Sequence, residues 1–449
     1  MTGEAVSSGA ITYRRVASIA LPVVFANATV PLQGAIDTAI IGNQGEAVLL
    51  AAVTLGASIV TLLFSSFNFL QVGVSGLTAQ AYGAGDRRRV MNTRARAFVV
   101  AAAVSAVLIL LQVPIASLGL MLFEGSAEAE RLARNYVLIL VWGAPAHLGT
   151  YALIGWFTGL ERTNRLLELQ LVVSLSNVAL NLVFVVGLGW GVEGVALGTA
   201  IAAWIGLGVG VLRARAEGRR LAPDCRLDWA RVLERAELRQ VMALNRDIFV
   251  RTLLLTGSLA WVARLGSTQG DVVLAANGIL LQFLTFSAYA LDGFAMAAET
   301  LVGQAFGGRD RSRLRRAVIV STVAAFLLSI AFAALATGLS GPIVRAFTNV
   351  DAVREVAFAH ILWASLIPVI AVFAFQLDGV FVGAAEGAAM RNAMIVSVAV
   401  FVPSSLILVE ALGNHGLWLG IWIWLAMRAL TLAALYPRLE ARLARSWAA

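Results

Sequence analysis

Several kinds of residue that soluble proteins and enzymes use are scarce or absent in this sequence. Only 13% of its 449 residues are charged, whereas about 25% is typical of soluble domains. The single cysteine, Cys225, excludes an internal disulfide. All 34 basic residues are arginine, and without lysine there is no GxxxxGK phosphate loop and no self-contained ATP motor. The three histidines, at 147, 360 and 415, are scattered, and no catalytic set is visible, so we predict that the chain is not an enzyme.

Long apolar stretches take the place of the missing charge. Hydrophobic residues make up 59% of the chain, and a helix needs about 20 apolar residues to cross a bilayer core. Because backbone polar groups in lipid must be bonded within their own segment, these stretches predict helices rather than strands. We place about twelve spans near 16–42, 51–76, 96–122, 133–159, 166–188, 193–213, 245–265, 272–300, 316–340, 356–384, 392–412 and 416–437.

The arginines predict how these spans are oriented. If the N-terminus is cytoplasmic, 28 arginines fall on the inner side and five on the outer side, while Arg428 lies within the last span. Cytoplasmic loops are known to carry an excess of basic residues. We therefore predict a multi-pass protein of the bacterial inner (plasma) membrane with both termini in the cytoplasm. The net charge of +8 follows the loops and forms no basic domain, so nucleic acid is excluded as a partner.

The two halves of the chain resemble each other at a fixed offset of 224 residues. Ile41–Ala52 maps onto Leu265–Ala276 with five of twelve residues identical. Thr78–Arg87 maps onto Val302–Arg311 with five of ten identical. The basic loops coincide as well, so both copies have the same orientation and form a parallel repeat.

This repeat predicts an all-α membrane protein built from two six-helix bundles. The N-lobe would comprise residues 1–213, a cytoplasmic linker 214–244 and the C-lobe 245–449. Two bundles with a seam between them favour a transporter that works by alternating access, with substrate held near the midplane. Internal duplication also occurs in channels and membrane enzymes, which remain alternatives.

The first two spans carry several candidate functional residues. Asp37 lies among small and apolar residues, and ionisable groups inside spans are costly and usually functional. Such a carboxylate is suited to taking up and releasing a proton. The alternative is a structural role, in which neighbouring hydroxyls or amides cap the carboxylate within the helix packing. Gln33 shares its helix face, and Pro22 and Pro31 make the span either a moving part or a static bend. Phe64 in the second span lines either the substrate cavity or the core.

Polar residues in the fifth span share one helix face. Ser174, Asn177 and Asn181 have i, i+3 and i+7 spacing, and Thr199 of the sixth span is placed to join them. With Asp37 they would form a hydrogen-bond network or a Na⁺ site. The alternative is ordinary hydrogen bonding between helices, which contributes about 0.6 kcal/mol on average.

The second half carries its own acids within spans. Asp292 and Glu299 are seven residues apart in the eighth span, hence on one face, and Asp378 lies in the tenth span. They are candidates for a cavity that attracts cationic substrates. Alternatively, Asp292 or Asp378 pairs with Arg251. The i, i+4 spacing of Asp247 and Arg251 predicts an ion pair at a helix end.

Six stretches together resemble the multidrug and toxic compound extrusion (MATE) family, in its DinF-like branch. The resemblance covers nearly the whole chain and rests on LPVVFANATVPLQGAIDTAIIG, SGLTAQAYGAGD, LNRDIFVRTLLL, YALDGFA, GQAFGGRD and LDGVFVGAAEGAAMRN. It implies twelve helices in two lobes around a V-shaped cavity. It also implies a monomer without cofactor that exports amphipathic, often cationic compounds in exchange for protons or sodium ions.

The resemblance also implies roles for individual residues. Asp37 matches the family's coupling aspartate, Asn177 and Thr199 match polar partners, and Pro22 matches a proline that bends the first helix. Many relatives have a second acid where this chain has Asn181, so coupling would rest on Asp37 alone. We therefore predict a secondary active multidrug exporter, with protons favoured over Na⁺. A lipid-linked precursor flippase is the alternative, but it predicts a basic cavity, whereas the charges predicted within the spans are mostly acidic.

Overall fold

The computed structural model describes residues 9–44, 46–123, 125–225 and 227–445, and its regular structure in these ranges is entirely helical. The helices of the first half are α1 Tyr13–Gly42, α2 Ala47–Ser65, α3 Phe69–Gly83, α4 Arg87–Leu110, α5 Gln112–Leu122, α6 Ala127–Val141, α7 Ala144–Gly159, α8 Thr163–Asn181 and α9 Gly191–Leu221. The linker and second half contain α10 Trp229–Val232, α11 Arg235–Ser267, α12 Asp271–Gly307, α13 Arg311–Gly338, α14 Ser340–Phe347, α15 Asp351–Gly383, α16 Gly387–Leu412 and α17 Asn414–Arg445.

The helices confirm the predicted membrane architecture. Within the described residues, eleven helical segments are long and apolar enough to span a bilayer, and α6 with α7 makes twelve if that bent pair is one span. The predicted span 133–159 is this pair, which bends by 53°. The break falls at Trp142 and Gly143, immediately before a proline in the first turn of α7. Proline lacks the backbone N–H that would continue the preceding helix, so α7 starts a new one.

The internal repeat is visible in the backbone as well as in the sequence. Asp86 and Asp310, 224 residues apart, each cap the helix that follows by accepting a backbone N–H three residues on, at 2.8 and 2.9 Å. The residues just before them share the left-handed conformation that ends the preceding helix. Two pairs of equivalent residues have this positive φ: Gly85 (71°) with Arg309 (54°), and Glu161 (59°) with Ala385 (58°).

The chain divides into two compact units. The N-unit comprises Phe25–Tyr82 and Asp86–Val241, and the C-unit comprises the described residues up to Val24, Gly83–Gly85 and those from Met242 onward. Helix α1 thus changes unit along its length. The N-unit core centres on α7, whose large side chains are fully buried, and the C-unit core on α15, α16 and α17. The predicted lobe boundaries at 213 and 245 stay a prediction.

Candidate functional site

Four predicted residues meet inside the N-unit and form one hydrogen-bonded chain. The Asn181 amide nitrogen on α8 donates to Asp37 Oδ1 on α1 at 2.7 Å and to Asn177 Oδ1 at 3.3 Å. The Asn177 amide in turn donates to Thr199 Oγ1 on α9 at 2.8 Å. We call these four residues the Asp37 network. The spacing on α8 therefore predicted the shared face correctly, and the hydrogen bonds between helices that it allowed are present.

Donation in the network runs outward from Asn181 in two directions. One is the hydrogen bond to the Asp37 carboxylate. The other continues from Asn177 to Thr199, whose hydroxyl donates to the Val195 carbonyl at 2.9 Å, so its oxygen is left to accept from Asn177. Both asparagines are fully buried. Since buried amides are costly unless bonded, this order fixes the two side chains relative to Asp37.

Gly198 is a residue of the site that sequence reasoning missed. A side chain there would collide with the Asn181 amide, since even its β-carbon would lie 3.2 Å from the Asn181 Cγ and closer still to Oδ1. The same Asn181 Oδ1 is buried and has no hydrogen-bond partner in the described structure. The absence of a side chain at 198 thus lets α9 pack directly against the amide that serves Asp37. Nothing distinguishes this glycine in the sequence from the others of α9.

Two further features flank the network. Ser174 Oγ donates to Gln33 Oε1 at 3.2 Å, one helix turn along from Asp37, so Gln33 takes part in a second contact between α1 and α8. Immediately after Asn181, α8 continues as a π-helical segment, Leu182–Gly187. Gln44 beyond the end of α1 donates to the Val185 carbonyl of this segment at 3.0 Å. Such widened turns are common at functional sites.

The acids of the second half lie in a different setting. Asp378 on α15 accepts from Arg251 of α11 and from Arg428 of α17, the latter at 2.8 Å. Asp292 of α12 lies within electrostatic range of both arginines and of Asp378. These four residues form the C-unit charge cluster, which contains two positive and two negative side chains. The alternative that Asp378 pairs with Arg251 is confirmed.

The predicted ion pair between Asp247 and Arg251 is wrong. Asp247 instead pairs with Arg391 at the start of α16, at 2.7 Å, and with its neighbour Arg246, at 2.9 Å. Arg251 pairs with Asp378, and both side chains are largely buried, with 15% and 13% of their surface exposed. Both carboxylates are largely buried, with 7% of Asp247 and 13% of Asp378 exposed, and a buried carboxylate needs a counter-charge. Each has one from another helix, Arg391 for Asp247 and Arg251 for Asp378, so spacing along one helix did not decide the pairing.

The remaining predicted residues lie outside the Asp37 network. Phe64 is buried in the N-unit core and stacks on the His147 ring at 4.6 Å. Glu299 is buried two turns beyond Asp292 on α12. Pro22 and Pro31 both lie within α1, which is a single uninterrupted helix. Pro22 is buried and lies two residues before the last α1 residue of the C-unit.

The site does not have the composition of a transition-metal centre. Among the described residues, no three His, Cys, Asp or Glu side chains come together. The Asp37 network offers one carboxylate, two amides and one hydroxyl. These groups can hold a proton on the carboxylate or present oxygen ligands to a hard monovalent cation.

A duplicated bundle of membrane-spanning helices, with one carboxylate in a buried polar network of its first half, defines an integral membrane protein of the transporter type. The MatE family model matches residues 22–183 and again 248–407. The chain therefore belongs to the MATE family of multidrug efflux transporters, and the double match confirms the internal repeat.

Individual relatives support this assignment. DNA damage-inducible protein F of Escherichia coli (strain K12) is 37% identical over 428 residues, which cover 94% of this chain and 91% of that protein. A probable multidrug resistance protein NorM of Rhizobium meliloti (strain 1021) is 30% identical, covering 92% and 90%. A solved multidrug resistance MATE family transporter of the MOP superfamily, in an outward-facing conformation, superposes with a TM-score of 0.85 at 20% identity, covering 96% and 97%. This last likeness confirms the fold.

Proposed function

We propose that this chain is an ion-coupled exporter whose coupling group is Asp37. The observation that carries the proposal is a buried network of neutral side chains in which Asn181 donates to one carboxylate, Asp37. Such a network holds Asp37 in place without neutralising it. The carboxylate can then bind and release a cation during each transport cycle.

Asp37 and Asp378 each accept hydrogen bonds from other helices but differ in how their charge is balanced. Asp378 accepts from two arginines, Arg251 and Arg428. Asp37 has Asn181 as its hydrogen-bond donor, and within the described residues no arginine forms a salt bridge with it. A carboxylate inside a span that has no counter-charge is strongly favoured to bind a cation. Asp378 already has its counter-charges, so Asp37 is the better candidate for ion coupling.

The geometry favours a proton over Na⁺. Hard metal cations take several oxygen ligands at once. Here Asn181 turns its nitrogen, not its oxygen, toward Asp37, and the Asn177 and Thr199 oxygens already accept hydrogen bonds from neighbouring amides. A sodium site would require these side chains to turn over together. Protonation requires only a free position on the Asp37 carboxylate.

The substrate class follows from the family. Relatives are named multidrug resistance proteins, and we propose that this chain likewise exports amphipathic or cationic organic compounds. It would do so as a monomer without cofactor, by alternating access, with one proton site in the first half. The balanced C-unit charge cluster would stabilise its own bundle or form part of the cavity wall, because Asp378 is already paired with two arginines and Asp292 lies within electrostatic range of them.

The decisive variant is Asp37→Asn, which keeps the shape of the side chain and removes its charge. In everted membrane vesicles energised by a proton gradient, we expect dye transport to fall by about a hundredfold or more, the lower end of the range for loss of a proton-transfer group. Asp351→Asn is the matched control, because Asp351 begins α15 with its side chain 95% exposed and should transport normally. Full transport by Asp37→Asn would disprove the assignment of Asp37.

A second measurement separates the two ions. In proteoliposomes, an imposed proton gradient without sodium should drive dye accumulation, and an imposed sodium gradient at equal pH on both sides should not. Transport driven by sodium alone would overturn the proton assignment while leaving Asp37 as the coupling residue.

A further inference from the structure

A groove on the N-unit lies next to the linker and shares no lining residue with the Asp37 network. It has a volume of about 400 Å³ and lies between α4 and α9, with the linker at one end. Helix α7 lies beneath it, since Phe98 of α4 and Leu207 of α9 both reach Gly149 of α7. The groove wall includes Phe98, Val99, Ala102 and Val211. This part of the groove is apolar.

The linker end of the groove is cationic. Arg94 and Arg215 line it, and among the described residues no acidic side chain does. Arg94 is held in place by its hydrogen bond to the Ala214 carbonyl, at 2.7 Å, and by the Trp156 ring, whose centroid is 4.8 Å from its guanidinium carbon. Arg215 is exposed and lies close enough to Arg94 for the two charges to repel. Within the described residues neither arginine forms a salt bridge, so an anion placed between them would relieve this repulsion.

The groove also has the layout of a membrane interface. Leu227 and Trp229 of the linker complete its wall, and Trp229 is 56% exposed. Tryptophan is enriched where membrane and water meet. From Arg94 to Ala102 the groove follows α4 for about 12 Å, at 1.5 Å per residue. An occupant therefore needs an anionic group at the arginine end and an apolar part that extends into the hydrocarbon.

We infer that this groove binds an anionic phospholipid of the leaflet on the predicted cytoplasmic side. Basic pockets between membrane helices are suited to anionic headgroups. A free phosphate would satisfy the arginines but leave the apolar wall empty, and a zwitterionic lipid would bring no net charge. Because Leu227 and Trp229 contribute to the wall, the bound lipid also contacts the linker that joins the two halves of the repeat.

The test measures lipid retention and does not depend on transport. The full chain, purified in detergent, is incubated with dioleoyl phosphatidylglycerol or dioleoyl phosphatidylcholine and examined by native mass spectrometry. Arg215→Gln removes a charge, and Ala102→Phe fills the apolar end. Arg215→Gln should weaken phosphatidylglycerol retention about fivefold, as loss of one basic contact to an anionic lipid predicts. Ala102→Phe should also weaken it, because the added ring occupies the space of the acyl chain. Phosphatidylcholine should be retained weakly by every form.

Matched controls distinguish the groove from general charge and bulk effects. Arg239→Gln removes an exposed arginine that does not line the groove, and Ala103→Phe adds the same bulk to the neighbouring exposed position of α4. Both should retain phosphatidylglycerol like the parent chain. Equal loss in the controls, equal retention of both lipids, or complete displacement by excess inorganic phosphate would each overturn the proposal.

Discussion

The Asn181 side chain has two chemically different ends, and the network uses only one of them. Its nitrogen serves Asp37 and Asn177, while its oxygen faces Gly198 without a hydrogen-bond partner. A charged Asp37 needs donors, and a protonated Asp37 can itself donate. A neutral amide can satisfy either form, whereas a second carboxylate would repel the charged one. At the scale of single residues, the coupling proposed at Asp37 depends on how firmly the Asn181 amide is held in position.

Gly198→Ala tests that dependence directly. The added methyl group should displace the Asn181 amide and weaken its hydrogen bond to Asp37. Hydrogen bonds to charged groups contribute about 1.5–3 kcal/mol, so proton-driven transport should fall roughly tenfold or more. Thermal stability should fall only modestly, because the gain of about 0.5–1 kcal/mol from Gly to Ala in a helix offsets part of the cost of displacing Asn181. Dye transport and thermal unfolding in detergent are measured in parallel.

The control for this variant lies on the same helix. A β-carbon at Gly208 would meet nothing within 4 Å, so Gly208→Ala should transport normally. If Gly198→Ala transported dye as well as Gly208→Ala, the packing of Asn181 would have no part in coupling.

Sequence spacing predicted which side chains meet, but not how they are oriented. The i, i+3, i+7 pattern places Ser174, Asn177 and Asn181 on one face because helix geometry is the same everywhere. The contact of Gly198 with Asn181 arises from the distance between α8 and α9, which no local pattern encodes. The direction of each amide likewise depends on all of its neighbours at once.

At the scale of helices, hydropathy predicted the spans well and their breaks poorly. Length and apolarity decide whether a segment crosses a membrane, and both can be read along the chain. The 53° bend between α6 and α7 and the π-helical segment after Asn181 change backbone geometry without changing apolarity. The ion-pair prediction was wrong for a related reason. The i, i+4 rule pairs Arg251 with Asp247 on the same helix, but the actual partner of Arg251 is Asp378 on another helix.

The C-unit charge cluster links α11, α15 and α17, and we expect it to behave as one unit. Asp378→Asn would leave Arg251 and Arg428 as unpaired charges in a largely buried site. Removing one member of a buried pair typically costs about 3–5 kcal/mol. The temperature of thermal unfolding in detergent should therefore be clearly lower for this variant than for the parent chain.

A double variant distinguishes charge balance from simple loss of contacts. Asp378→Asn combined with Arg428→Gln leaves Arg251 with Asp292, and the net charge of the cluster returns to zero. The double variant should therefore be more stable than Asp378→Asn alone. Additive destabilisation would show that the cluster is not an electrostatic unit.

At the scale of the whole molecule, the repeat conserves backbone geometry and side-chain pairing but not chemistry. The positions equivalent to Asp37 and Asn181 are Trp261 and Ser405, and the Trp261 indole donates to Ser405 Oγ at 3.0 Å. The same two positions thus bond in both halves, as carboxylate with amide in one and indole with hydroxyl in the other. Of the two pairs only the first contains a carboxylate, so the coupling site proposed at Asp37 has no chemical equivalent at the matching positions of the second half.

The linker between the halves is attached to the N-unit by one buried arginine. Arg96 of α4 is 4% exposed and donates to the carbonyls of Arg231 and Val232 at 3.0 and 3.1 Å, and to Glu237 at 3.1 Å. These bonds satisfy the end of the short helix α10, which has too few residues to be stable alone. The part of the linker before α11 is therefore expected to stay with the N-unit when transport proceeds.

Arg96→Gln should release this segment. Loss of the charged hydrogen bonds, at about 1.5–3 kcal/mol each, should increase local opening at least tenfold. Limited trypsin digestion of everted vesicles should then cut the linker arginines at least tenfold faster than in the parent chain. Arg87→Gln, which removes the exposed first residue of the same helix, is the control and should leave the rate unchanged. In right-side-out vesicles the linker arginines should be resistant in every case, because the linker is predicted to be cytoplasmic. Cleavage within the linker in those vesicles would contradict the predicted orientation, and equal linker cleavage rates in everted vesicles would contradict the attachment by Arg96.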